Sequence, residues 1–167
     1  MEGEARQRSG RSKNLVGFEV GDVRYAAEIL RVREIINPLS LVALPHAPRA
    51  VVGVADHRGE VVPVVDLRLR FGLPTVEPTR RTKWIIVEVD QRSVGLVVDG
   101  VTEVFGAGDP ESRDVPELGV GDAARGIAAV YKHEDRLVFV LDLDRVAAPA
   151  EALDMSQLSS MIPGEEA

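Results

Sequence analysis

Four aspartates stand where chemistry is often done, at the ends of apolar runs: Asp66, Asp99, Asp142 and Asp144. Carboxylates converging from strand ends can hold a divalent metal or act as general acid and base. Two of the four, however, sit in one local phrase written twice, V-V-D-L at Val64–Leu67 and V-L-D-L at Val140–Leu143. An aspartate entering a short helix is first of all an N-cap, worth about 1 kcal/mol to that helix. If the two phrases belong to separate lobes, their acids need never meet. The histidines, His46, His57 and His133, have no partner histidine at the spacings that build zinc centres, and fit loop positions. There is no G-x-x-x-x-G-K-[ST] loop and no G-x-S-x-G elbow, and Gly106-Ala107-Gly108 runs into Asp109-Pro110 instead of opening a helix. No enzyme constellation survives, and no cofactor or metal is expected.

The elements that carry these residues are themselves repeated. Phe18–Ile35 lies on Val87–Val104 without a gap, Glu19 falling on Glu88 and Glu34 on Glu103, at an offset of 69. Leu44-Pro45 answers Val115-Pro116 at 71, Gly53-Val54 answers Gly126-Ile127 at 73, and Val65-Asp66-Leu67 answers Leu141-Asp142-Leu143 at 76. Insertions in loops produce such drift, since loops tolerate length changes better than strands. Two copies are too few for a solenoid. They predict two similar halves that must share a core, because a lobe of about 60–70 residues leaves too much of its surface wet to be stable alone.

Valine dominates the apolar runs, which favours strands. Strands are expected at Leu15–Val20, Val23–Ala27, Val32–Ile36, Val51–Ala55 and Val61–Asp66, with a helical turn at Leu67–Phe71 stopped by Gly72 and Pro74. The second half repeats the plan at Trp84–Val89, Ser93–Val98, Val101–Phe105, Gly126–Tyr131 and Leu137–Leu141, with turns at Gln91-Arg92 and His133-Glu134-Asp135. Closing each set into a five-stranded barrel removes sticky edges, and Pro63 should then sit at an edge or a bulge. The expected organisation is a disordered basic tail over 1–13, a first barrel over about 14–73, a second over about 82–148, and a C-terminal helix and tail over 150–167 with Leu153, Leu158, Met161 and Ile162 on one stripe.

Net charge is −7 with no basic domain, which argues against nucleic acid as a partner. With no cysteine, disulfides and thiolate metal sites are excluded. No apolar run approaches the ~20 residues that span a bilayer, and residues 1–14 lack the apolar centre of a secretion signal. A cytoplasmic protein without direct membrane insertion is expected. One charged pair remains conspicuous in the valine-rich scaffold: Glu34 in V-R-E-I-I-N and Arg58 in D-H-R-G. It reads as a solvated surface pair or as a polar mark within an apolar binding patch.

The runs F-E-V-G-D-V-R-Y-A-A-E-I-L-R-V-R-E-I-I and L-P-H-A-P-R-A-V-V-G-V-A-D-H-R-G-E-V-V-P-V-V-D-L-R-L-R-F-G-L resemble the CheW family of chemotaxis coupling proteins, as do W-I-I-V-E-V, V-G-L-V-V-D-G-V-T-E-V and R-L-V-F-V-L-D-L-D-R-V. The resemblance spans about Leu15 to Ala148. It implies a mainly β protein of two SH3-like five-stranded barrels with a hydrophobic interface, short helices and no catalysis. It also implies two partners: the cytoplasmic tip of a chemoreceptor and the regulatory domain of the histidine kinase CheA, whose activity the adaptor regulates, with recruitment to receptor arrays. Carried over by motif, Val32, Glu34, Gly53 and Arg58 belong to the receptor-contact region, and Gly95, Val98 and Val101 of the second barrel to the kinase contact. Where the family usually has Asn-Leu before Arg-Gly, this chain has Asp56-His57, which adds a negative charge and a titratable ring. That change either retunes receptor choice or is neutral drift at an exposed turn. The rival readings are a coupling protein of a non-flagellar pathway, such as surface motility or development, and a metal-dependent enzyme using the strand-end aspartates.

Overall fold

Short valine-rich runs separated by two-residue polar turns build eleven strands among the residues that the computed structural model describes, 14–106, 112–113, 126–151 and 153. They are β1 (Asn14–Val20), β2 (Val23–Glu28), β3 (Val32–Ile36), β4 (Val51–His57), β5 (Glu60–Asp66), β6 (Lys83–Val89), β7 (Arg92–Val98), β8 (Gly100–Gly106), β9 (Ser112–Arg113), β10 (Ile127–His133) and β11 (Arg136–Leu141). A 3-10 turn, Ile29–Arg31, joins β2 to β3, and the helices are α1 (Leu67–Arg70), α2 (Leu143–Val146) and α3 (Ala148–Glu151). The main strands fall within one or two residues of their expected bounds. The turn expected at Gln91-Arg92 is instead Asp90-Gln91, both at positive φ, with Arg92 opening β7. The tail over 1–13 and the expected C-terminal helix beyond Glu151, Leu153 apart, lie outside the described residues.

The two halves do not fold as contiguous barrels, and the expected partition into 14–73 and 82–148 gives way to an exchange of strands. One sheet runs β3-β6-β7-β5-β4 and the other β8-β1-β2-β11-β10-β9. Each therefore takes a hairpin, β6–β7 or β1–β2, from the other half of the chain. The exchange is made by two parallel pairings, β5 with β7 and β11 with β2, and by two antiparallel ones, β3 with β6 and β1 with β8. Hereafter the first unit is the sheet holding β3, β4 and β5, and the second is the sheet holding β8, β10 and β11. Both are SH3-like β units.

Ladder registers make the internal likeness exact to the residue. Val32, Glu34, Ile35 and Ile36 pair with Val87, Ile86, Ile85 and Trp84, as Val101, Val104 and Phe105 pair with Phe18, Val16 and Leu15. In the other hairpin, Val51↔Val65 and Gly53↔Val64 match Ile127↔Leu141 and Ala129↔Val140, each with a bulge at the same place. Gly53 therefore corresponds to Ala129, and the offset there is 76; the pairing of Gly53 with Gly126 at 73 is overturned. Gly126 stands with Ala50, since Asp142 N–H donates to Gly126 O at 2.7 Å as Asp66 N–H donates to Ala50 O at 2.9 Å. Even β9 has a counterpart, for it pairs with Val130 as the lone bridge residue Val42 pairs with Val54.

Pro63 lies in β5, an interior strand, rather than at a sheet edge. The site still needs no N–H. Val54, opposite Pro63, sends both its N–H and its C=O to Val42, so the Val54–Pro63 pair is of the non-hydrogen-bonded kind, and the ladder to β7 begins only at Val64.

Among the described residues three apolar clusters hold the molecule, with a fourth, smaller one around Val54. Ala55, Val62, Val64, Trp84 and Ile86 fill the first unit. Leu15, Ala26, Val138 and Val140 fill the second. The largest lies between them and draws on both, with Phe18, Val20 and Leu141 from one sheet and Val65, Ile85, Leu96 and Val98 from the other. Tyr25 stacks on Phe71 at 4.8 Å across this seam. The shared core expected of two small lobes is therefore the main core.

Candidate functional site

The strand-end aspartates are occupied in structural work. Asp66 caps α1 by accepting the Arg68 N–H at 2.9 Å, and Asp142 caps α2 by accepting the Arg145 N–H at 3.4 Å. Asp99 accepts the Gly21 N–H at 2.7 Å and binds Arg68 through Nε and Nη2, which ties the β1–β2 turn to the far sheet and raises the Arg68 pKa further. Asp144 is 2.6 Å from Arg31 Nη2. A cleft of about 200 Å³ does collect Asp66, Arg68 and Asp99 beside Leu41, Trp84 and Val97. Burial there pushes the Asp66 carboxyl up, and the neighbouring Asp99 charge adds to it against the pull of the Arg68 backbone bond. Asp66 is thus tied to a helix start, and Asp99 to Arg68 and Gly21.

The polar group facing outward is Glu34. A bulge between Val32 and Glu34 offsets β3 from its neighbour β6. The β4–β5 hairpin turns in two residues, Arg58 and Gly59, both at positive φ (55° and 83°), the geometry of a type I′ turn. Asp56 Oδ1 braces the turn by accepting the Gly59 N–H at 2.9 Å. Arginine pays a steric penalty in this left-handed region that Asn or Gly would escape. Its position delivers the guanidinium to Glu34: Arg58 Nη2 lies 2.8 Å from Oε1, while His57 Nε2 lies 2.9 Å from Oε2. The bond from His57, with the Arg58 charge and against the cost of burial, holds the Glu34 carboxyl below the usual glutamate range. Since β3 and β4 are the two ends of one sheet order, this clasp also shows the sheet curling until its edges touch.

The structure brings Glu34 and Arg58 together and adds His57, which the sequence marked only as a departure from its family. Its position next to Arg58 was the one hint in the sequence, and the contact itself is made only when β3 and the β4 tip meet. Val32 is half-buried against the central core. Gly53 is buried at φ 151°, and a Cβ there would stand 2.5 Å from the Val42 carbonyl oxygen, so its role is to let the β3–β4 connection pass. Gly95 and Val98 are buried in β7, Val98 at 1 % exposure, and Val101 packs on the central core. The strand exchange also moves Gly95 and Val98 into the first unit, leaving only Val101 in the second. Val98 offers a partner almost no surface, Gly95 has no side chain to offer, and Val101 is half-buried. What sequence reasoning passed over is a set of exposed apolar side chains on either side of Glu34 in the chain: Leu30 (72 % exposed), Ile35, Leu39, Leu41 and Val42.

A CheW-like domain model matches residues 14–151. The chain belongs to the CheW-like domain family. Its relatives include the chemotaxis protein CheW of Rhizobium meliloti, 34 % identical over 149 residues that cover 87 % of this chain and 94 % of that one. CheW of Helicobacter pylori is 32 % identical, covering 78 % and 79 % of the two chains. Protein FrzA of Myxococcus xanthus is 38 % identical over 112 residues, 64 % of this chain and 66 % of its own. Among solved structures, the scaffolding protein TtCheW of Thermoanaerobacter tengcongensis superposes with a TM-score of 0.71 at 28 % identity, over 78 % of this chain and 88 % of that one. A CheW-like protein is a non-catalytic adaptor of chemotaxis-type signal transduction, and the occupied aspartates of this chain agree with that. No helix among the described residues is long and apolar enough to cross a membrane.

Proposed function

We propose that this CheW-like protein couples the cytoplasmic tip of a chemoreceptor to the regulatory domain of a CheA-type kinase in the cytoplasm, and thereby sets the kinase's activity. The observation that carries the receptor half is the Glu34–His57–Arg58 clasp at the margin of the first sheet, in a stretch of chain that also exposes Leu30 and Ile35. Polar anchors ringed by apolar side chains are the anatomy of protein–protein hot spots, and an apolar face with fixed charges suits an amphipathic helix. The kinase half belongs on the second unit, where Val23 and Leu137 are exposed above the strands that Val101 helps to pack. An adaptor of this kind needs only modest affinity at each face, because an array raises effective concentration.

Receptor capture is the test. Arg58→Ala removes the outer arm of the clasp, which is 75 % exposed. The melting temperature should stay within a few degrees, because exposed ion pairs add little. Co-sedimentation with a receptor cytoplasmic fragment and the CheA regulatory domain should weaken by about tenfold, the scale of a truncated interface anchor. A variant that loses its fold but, where folded, still assembles normally would reverse the assignment. The same assembly could serve a non-flagellar pathway, a reading favoured by the likeness to FrzA; receptors drawn from each kind of pathway would separate the two.

A further inference from the structure

The second unit carries its own copy of the clasp, with one change. Glu103 stands at the position of Glu34 and His133 at that of His57, and His133 Nε2 lies 3.0 Å from Glu103 Oε1. The turn residue that follows is Arg58 in the first unit and Glu134 in the second, each at positive φ in the same two-residue turn. A cation has thus been replaced by an anion while the carboxylate and imidazole it served remain. Glu103, His133 and Glu134 present ligand atoms that all lie within 4.8 Å of one another. Of the neighbouring cations whose side chains are described, Lys132 is turned to Asp135 at 3.7 Å and Arg136, opposite His133 in the hairpin, bonds to neither glutamate. The imidazole is fixed and only 17 % exposed, its face stacked on Phe105 at 4.2 Å.

We propose that Glu103, His133 and Glu134 bind a divalent transition-metal ion of the zinc class, which closes the second unit as the Arg58 guanidinium closes the first. One imidazole nitrogen with two carboxylate oxygens suits a borderline ion such as Zn²⁺, with a fourth position for water, and suits the harder Ca²⁺ or Mg²⁺ poorly. Metal bonds of about 2.0–2.2 Å require the three donor atoms to draw closer, and Glu134, exposed on a turn, is free to swing inward. The second observation pointing to a cation comes from the same molecule: the first unit's identical Glu–His pair already holds a positive group at 2.8 Å. The ion's role is structural, tying β8 to the β10–β11 tip.

The test is calorimetric titration of the tag-free full chain with zinc chloride alone, with melting curves alongside. One equivalent is expected to bind, and the melting temperature to rise by about 3 °C or more at a large excess over Kd. His133→Ala should weaken uptake at least tenfold. Glu134→Arg, which rebuilds the first unit's clasp and so should remain folded, should abolish it. Arg58→Glu, which gives the first unit the same three ligands, should take up a second equivalent. Uptake left unchanged by His133→Ala and Glu134→Arg would mean an adventitious ion only and would overturn the proposal. So would no saturable uptake, including the case in which Glu134→Arg instead weakens capture of a protein partner, which would assign the cationic place to a partner's side chain.

Discussion

Set side by side, the two units keep some features twice and others once. Both have an aspartate capping the helix after the last strand, a bulge at the same point of each outer hairpin, and a Glu–His contact between the sheet's two margins. Only the first has Arg58 at the turn and Gly53 in the strand, where the second has Glu134 and Ala129. Features present twice answer to the needs of a curled sheet, which are the same in each unit. Features present once answer to what only one unit does. By that standard Arg58 is the side chain that marks the first unit off from the second. Gly53 belongs to a local crossing of chains, because its counterpart Ala129 accepts a side chain.

The comparison is most easily broken by cutting the chain between the units' sequences. Since each sheet takes a hairpin from the other half, a fragment of residues 82–167 lacks β1 and β2, the middle of its own sheet. It should show no cooperative transition in urea, while the whole chain unfolds in one. A folded fragment, or two resolved transitions in the whole chain, would mean that the halves are independent after all. The next largest effect comes from exchanging the residues at the one position where the units differ inside a strand. Gly53→Ala places a Cβ 2.5 Å from the Val42 carbonyl at φ 151°, and should cost about 3 kcal/mol. Ala129→Gly should cost about 0.5–1 kcal/mol, the ordinary penalty of glycine in a strand. Equal losses in denaturant midpoint would show that Gly53 has no special geometry to satisfy.

How much of this could be read in advance follows the range of the forces involved. Strands, turns and caps were legible because each is decided within a few residues: Gly21 and Gly59 at turns, Asp66 and Asp142 before Leu, valine runs between. The exchange of β1–β2 and β6–β7 was not, because the parallel partners of β5 and β11 are chosen by packing across the central core. A hairpin so similar to its counterpart carries no local mark of which sheet it joins. The same blindness misplaced Gly95 and Val98, which look like surface positions of a second barrel and are interior residues of the first. Pro63 was misjudged for a related reason: the strand is central, yet one pair of its ladder needs no donor. Glu34 and Arg58 could be singled out by type, but His57 as their third member required knowing that β3 and the β4 tip meet as the sheet curls.

The finest test of the clasp is its pH dependence. Glu34 has its pKa lowered, chiefly by the bond from His57. A group lowered on folding contributes stability above its unfolded pKa, and loses that contribution as pH falls through the folded value. Asp66 acts in the opposite sense. Burial raises its pKa, so its contribution is complete below the unfolded pKa and is lost as pH rises through the folded one. On the acid side, therefore, the two partly offset each other, and removing one exposes the other. Glu34→Gln should melt slightly below the parent protein at pH 6, and the gap should close as pH drops below the ordinary glutamate value of 4.5. Curves for Glu34→Gln that run parallel to the parent at all pH values would mean that His57 and Arg58 do not hold the carboxylate in the folded state, and the two units would then differ in sequence at their turns but not in electrostatics.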